Sequence, residues 1–146
     1  MKTISGRIEV IAVSACLLGI ASTYRGDNNL SLHTIEKIKG KIVFPVCPEA
    51  MGGLPTPRIP SEIQNDGITV LAKDKTDVTA FFQRGASIAL DIAVLNGCHK
   101  AIMKENSPSC GSGYVYDGTF SGKLIKGKGY ACRIFQKSGI DVENEK

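Results

Sequence analysis

The stretch Lys104–Gly118, KENSPSCGSGYVYDG, sets a single cysteine among serines and glycines. A cysteine that only packs prefers an apolar interior, so Cys110 reads as displayed for chemistry. Cys16 in SACLLG and Cys47 in PVCPE have comparable settings. Three converging thiolates with a fourth position open suit a soft metal. Zinc with a bound water is one occupant and an iron–sulfur cluster is the other. The plain structural alternative is three buried cysteines that merely end strands. Gly111 and Gly113 beside Cys110 would let backbone N–H groups approach a sulfide or an anion. Glu49, two residues after Cys47, is a candidate general base or proton shuttle, and otherwise an ordinary surface glutamate. Ser107 and Ser109 offer hydroxyls, with Pro108 fixing the backbone between them. Arg58 could bind a carbonyl or a phosphate, with Glu62 as its ion-pair partner.

The other candidates are weaker. Cys98 precedes a strand and Cys132 falls within a helix, so both are assigned to packing. His33 and His99 lie away from the cysteines, so a Cys–His nucleophilic mechanism lacks its base. No C-x-x-C pair supports a thiol redox protein or a zinc knuckle. Five cysteines in 146 residues fall short of the roughly 8–10% of a disulfide scaffold. The start, MKTISGRIEVIAVSACLLG, carries Arg7 and Glu9 where a signal peptide would be apolar. It therefore reads as a first strand, and the protein as cytoplasmic. No run approaches the roughly 20 apolar residues of a membrane span. A net charge of +4 permits an anionic ligand without demanding nucleic acid. Lys123, Lys126 and Lys128, the only basic run near the candidate site, read as a solvated loop.

The elements that must position these residues follow from periodicity. The length suits one domain over 1–146. RIEVIAVSA (Arg7–Ala15), KIVFPV (Lys41–Val46), KAIM (Lys100–Met103) and IDV (Ile140–Val142) read as strands, and GITVLAKD (Gly67–Asp74) as a short edge strand. Leu32, Ile35 and Ile38 predict a helix capped by Asn29 or Ser31 and stopped at Gly40. A longer helix is expected over Thr76–Gly97, capped by Thr76 or Asp77, with Val78, Phe81, Phe82, Ile88, Ala89, Ile92 and Leu95 as its apolar stripe. GYACRIFQKSG reads as the last helix. Met51–Ile63, with its prolines and glycines, reads as a long binding loop without regular structure. Strands alternating with helices imply a single α/β domain with a mainly parallel, Rossmann-like sheet and flanking helices. Ligands then sit beyond the carboxyl ends of the strands, and Cys16, Cys47 and Cys110 each follow such an end.

The motifs VSACLLG (Val13–Gly19), PVCPEAMGGLPTPRIPSEI (Pro45–Ile63), Gly85-Ala86, KENSPSCGSGYVYDGTFSG (Lys104–Gly122) and GIDVENE (Gly139–Glu145) together resemble the bacterial thiouracil desulfidase (TudS) family. The resemblance implies a [4Fe–4S] enzyme that hydrolytically removes sulfur from a thiolated uracil base or nucleotide and releases sulfide. It implies Cys16, Cys47 and Cys110 as the three cluster ligands, with the fourth iron open. It further implies Glu49 as the acid/base and Ser107 as the favoured serine for substrate contact. Ser14, Arg58, Ser109 and Gly111 complete the substrate-contact candidates. The partners expected are a small thiopyrimidine or thionucleotide, or thiouridine in RNA, with no membrane and a monomeric chain. One segment departs from the family pattern: STYRG carries Thr23 and Arg25 where the pattern has arginine and aspartate, which puts substrate choice in question. The non-enzymatic alternative is an iron–sulfur or zinc module that senses sulfide, redox state or a thionucleotide.

Overall fold

The structure, a computed structural model, describes residues 8–146. Arg7, the expected start of the first strand, lies outside them, and β1 occupies Val10–Ser14. It is followed by a 3-10 turn at Ala15–Leu18, α1 at Leu32–Lys37 and β2 at Ile42–Val46. Then come α2 at Pro48–Met51, β3 at Ser61–Ile63, β4 at Val70–Ala72, α3 at Thr79–Leu95 and β5 at Lys100–Ile102. β6 at Tyr114–Tyr116, β7 at Leu124–Lys126, α4 at Tyr130–Lys137 and β8 at Asp141–Glu143 complete the chain.

β1, β2, β5 and β8 form one parallel sheet in the order β2-β1-β5-β8. The expected α/β architecture is therefore present. Successive side chains of a strand point to opposite faces. Accordingly Ala12 of β1 joins the core under α3 and α4, while Ile11 and Val13 join Leu17 and Ile102 in the core on the other face. Cys98 and Cys132 are both buried, as expected of packing residues. Among the described residues no helix is long and apolar enough to cross a membrane.

Several boundaries differ from those the sequence suggests. Met51–Ile63 is not wholly irregular: Met51 closes α2, and Ser61–Ile63 pairs antiparallel with β4. Residues 76–78 stay outside the helix because they bond back to β4, Ala72 N–H to Thr76 O and Val78 N–H to Val70 O. Asp77 Oδ1 then accepts the Thr79 N–H at 2.9 Å, and α3 starts there. α1 is capped by Ser31, which accepts from Thr34 N–H. Its expected stripe is buried only in part: Ile35 and Ile38 are half-buried, whereas Leu32 stands 75% exposed and Thr34 is buried. A second antiparallel hairpin, β6 with β7, places Lys126 on a strand rather than a loop.

The buried face of α3 is narrower than the apolar stripe predicts. It centres on Phe82, Gly85, Ala86, Ala89 and Ala93, and Leu95 is exposed. Small residues let α2 approach to backbone contact. A Cβ on Gly85 would lie 1.7 Å from Pro48 O, and one on Gly52 would lie 2.0 Å from Phe81 O. This contact seats α2, and with it Cys47 and Glu49, against the long helix. Gly85→Ala should therefore force the helices apart and cost about 1–3 kcal/mol, as overpacking does. Urea unfolding checks it: an unchanged midpoint would mean that α2 can shift without loss.

Candidate functional site

β1, β2 and β5 end at one edge of the sheet, and the segments leaving them line a cavity of about 510 Å³. Cys16, Cys47 and Cys110 all face it. Cys16 sits in the 3-10 turn that ends on left-handed Gly19 (φ 92°). The Asn29 N–H donates to Cys16 O at 2.9 Å, and the Asn29 side chain reaches the Cys16 thiol. Cys47 is the N-cap of α2, with Pro48 as the first helical residue, a position where the missing N–H costs nothing. Its Sγ donates to Ser22 O at 3.7 Å.

Cys110 lies in a tight turn. Ser107 Oγ accepts from the Ser109 and Cys110 N–H groups, both at 3.1 Å. The first turn of a helix has N–H groups without intrahelical partners. In α4 these donate back to the same turn, Tyr130 N–H to Pro108 O at 3.0 Å and Ala131 N–H to Ser109 O at 2.8 Å. Gly129 makes this possible, since a Cβ there would lie 2.5 Å from Ser109 C.

Burial pushes the Cys110 thiol up to about 12 against hydrogen bonds from Ser14 and Ser109. Burial also raises Cys16, outweighing its bond to Asn29. A thiol held protonated is a poor nucleophile, whereas a coordinated metal removes the proton outright. Among the described residues no three His, Cys, Asp or Glu side chains close tightly enough for a single metal ion. Three thiols lining one cavity are a donor set that iron–sulfur clusters take. The residues present thus fit an iron–sulfur cluster.

Glu49 projects from the first turn of α2 into the same cavity. Its Oε1 accepts from Arg58 Nε at 3.0 Å and its Oε2 from Ser109 Oγ at 2.9 Å. Arg58 therefore pairs with Glu49 and not with Glu62. Glu62 instead accepts the Gly118 and Phe120 N–H groups, at 2.9 and 3.1 Å, and ties down the loop between β6 and β7. The Arg58 side chain is only 6% exposed. Its Nη1 donates to Pro55 O and Thr56 Oγ1, and its Nη2 to Ser22 O. Of the five N–H donors of a guanidinium, one is left for a substrate.

The serines divide the work. Ser107 Oγ already accepts two N–H bonds, so its own proton points to Ser109 Oγ, 3.0 Å away. Ser109 Oγ in turn donates to Glu49, which makes a hydroxyl relay of Ser107, Ser109 and Glu49. Ser14 is buried at the end of β1, where its Oγ accepts the Lys104 N–H at 2.9 Å. Gly111 donates its N–H to Ser107 O at 2.9 Å, so that N–H is not free for a sulfide. Thr23, Tyr24 and Arg25 line the cavity mouth, with Thr23 and Arg25 both engaged by Asp27.

Glu105 is a site residue that the motif reading passes over. The anion that the glycine-rich turn attracts is this buried carboxylate, not an external one. Its Oε1 accepts from the Asn106, Ser112 and Gly113 N–H groups at 3.1, 2.9 and 3.2 Å. Burial pushes its pKa up, but the N–H bonds from Gly113, Ser112 and Asn106 outweigh that and hold it below the usual value. An acidic residue just before a Gly/Ser-rich turn was the available signal. Because the folded pKa is lowered, the stability Glu105 adds is complete above its unfolded pKa of about 4.3. It is lost as pH falls through the folded value. Glu105→Gln should cost about 1–3 kcal/mol at pH 6 and less near pH 3. Denaturant curves at the two pH values measure this, and an equal loss at both would refute it.

Comparison with known proteins comes to the same fold and length. A family model described as 2-thiouracil desulfurase matches residues 11–146. YbbK of Bacillus subtilis (strain 168) is 38% identical over 144 residues, covering 93% of this chain and 95% of its own. A solved structure of the [4Fe–4S]-dependent thiouracil desulfidase TudS is 41% identical, with a TM-score of 0.87 over 94% of this chain and 91% of that one.

Proposed function

Because the chain belongs to the 2-thiouracil desulfurase family, we propose that it is a [4Fe–4S]-dependent desulfidase that hydrolyses a thiolated uracil base or nucleotide and releases sulfide. The observation that carries this reading is the shared cavity, which gathers Cys16, Cys47 and Cys110 around the carboxylate of Glu49. The three thiols are the cluster ligands. Bound through them, the cluster supplies a Lewis-acidic iron with an open position for the soft thiocarbonyl sulfur.

The rest is done by this chain's own side chains. Glu49 takes a proton from water as the oxygen adds to the ring carbon. Arg58 and Ser109 each hold one carboxylate oxygen, so the base is aimed before substrate arrives. Ser107 fixes Ser109 and extends the relay along which a proton can return. In the balance, C=S and water become C=O and hydrogen sulfide, with no net electron transfer. The wall formed by Thr23, Tyr24 and Arg25 shapes substrate choice.

The test is anaerobic reconstitution with iron and sulfide, followed by assay of sulfide release from 2-thiouracil, 4-thiouracil, thiouridine monophosphate and thiouridine-containing RNA. Release from at least one is expected. A reconstituted protein that binds four irons per chain and releases none from any would instead be a non-enzymatic cluster module.

A further inference from the structure

The segment after β8 takes no part in the proposed chemistry, yet it reaches the site wall. β8 pairs with β5, and the Met103 N–H donates to Glu143 O at 2.9 Å. Two residues on, Glu145 turns its carboxylate to the start of the Cys110 loop. Its Oε1 accepts the Glu105 N–H at 2.8 Å, and its Oε2 lies 3.2 Å from Lys104 Nζ. The Glu145 side chain is 15% exposed, so this is not a loose surface pair. Lys104 and Glu105 both line the cavity. Lys104 Nζ also donates to Glu105 O at 2.9 Å, and Asn144 Nδ2 is 3.5 Å from Glu105 Oε2.

We propose that Glu145 is a positioning residue for the metal site, fixing the near end of the loop Lys104–Cys110 and through it the third thiol. The inference rests on the reading of Cys110 as a ligand. The loop's far end is already held by the first turn of α4 and by the Glu105 carboxylate. Its near end is held by the Ser14 hydroxyl and by Glu145, with Asn106 Nδ2 donating to Tyr114 O at 3.1 Å farther along. Glu145 also sets the Lys104 ammonium on the cavity wall. A charge-assisted bond to a backbone N–H is worth more than a surface ion pair. Glu143 on the same segment offers the contrast, since it makes only partly exposed pairs with Lys37 and Lys100.

Two readouts test this: deuterium uptake of peptides spanning 104–111 in the metal-free chain, and the rate of iron loss to a chelator after reconstitution. E145A should raise both by about tenfold, with uptake in β1 and α3 unchanged. E145Q keeps a carbonyl for the Glu105 N–H and should stay within about threefold of wild type. E143Q should change neither. Wild-type values in E145A, an equal rise in E143Q, or faster uptake throughout the chain would overturn the proposal. If the wild-type chain takes up no iron, the ligand reading fails by itself, and uptake at 104–111 still decides whether Glu145 holds the loop.

Discussion

Replacing Cys110 with alanine should leave a folded protein that retains no stoichiometric iron, shows no cluster absorption and releases no sulfide. The loss is expected to be complete rather than graded. The cavity offers three thiols and, among the described residues, no compact set of other ligands to take over. Cys47→Ala and Cys16→Ala should behave alike. The fold survives because Cys110 contributes only a small side chain to a core built on the sheet and on α3 and α4, so the packing cost is about 1 kcal/mol. Cys98→Ala and Cys132→Ala provide the controls. Both residues are at least as buried, and burial pushes Cys132 up to about 11, yet neither lines the cavity. They should keep full iron content. Iron and sulfide per chain, measured after anaerobic reconstitution of all five variants, decide the matter. A Cys110→Ala protein that kept four irons would remove the ligand assignment, and a Cys132→Ala protein that lost them would show that burial rather than the cavity is what counts.

The sheet edge was legible because strand order and thiol position are both encoded locally. Short apolar runs mark β1, β2 and β5, and a cysteine follows each. A parallel sheet then brings those ends together without any contact needing to be known. The contact between α2 and α3 was not legible in the same way. A search for large apolar residues at helical spacing selects Ile88, Ile92 and Leu95. Of the expected stripe the helix does bury Phe82 and Ala89, but beside them it buries Gly85, Ala86 and Ala93, and at Gly85 the backbone of Pro48 leaves no room for a side chain. Partner choice was hidden for another reason. Glu62 and Glu49 are both within reach of Arg58 along the chain, and only the β3–β4 hairpin turns Glu62 toward Gly118 and Phe120. The β6–β7 hairpin escaped because each strand has only three residues, and its turn signals, Asp117-Gly118 and Ser121-Gly122, lie within a longer connection rather than forming a two-residue turn. Glu105 escaped because a buried carboxylate satisfied by backbone N–H groups leaves no charge partner to look for.

Glu49→Gln should keep the cluster and lose turnover, with kcat falling by about 10²–10⁴-fold, the usual contribution of general acid–base catalysis. The substitution is clean because the surroundings can tolerate an amide. The carbonyl of the new side chain can accept from Arg58 Nε, as Oε1 does now. Ser109 Oγ, freed to rotate, can accept from the amide where it now donates to Oε2. Shape and anchoring are kept while the capacity to take up a proton is removed. Iron content and the cluster absorption should therefore match wild type, and KM should change far less than kcat. Arg58→Lys separates aim from basicity. A lysine cannot reproduce the planar fork that holds Glu49, Ser22, Pro55 and Thr56 together. That variant should lose rate through misplacement of an intact base, with iron content as in wild type. Full activity in Glu49→Gln would assign proton transfer to another group, and the Ser107–Ser109 pair would then be the next hydroxyls to test.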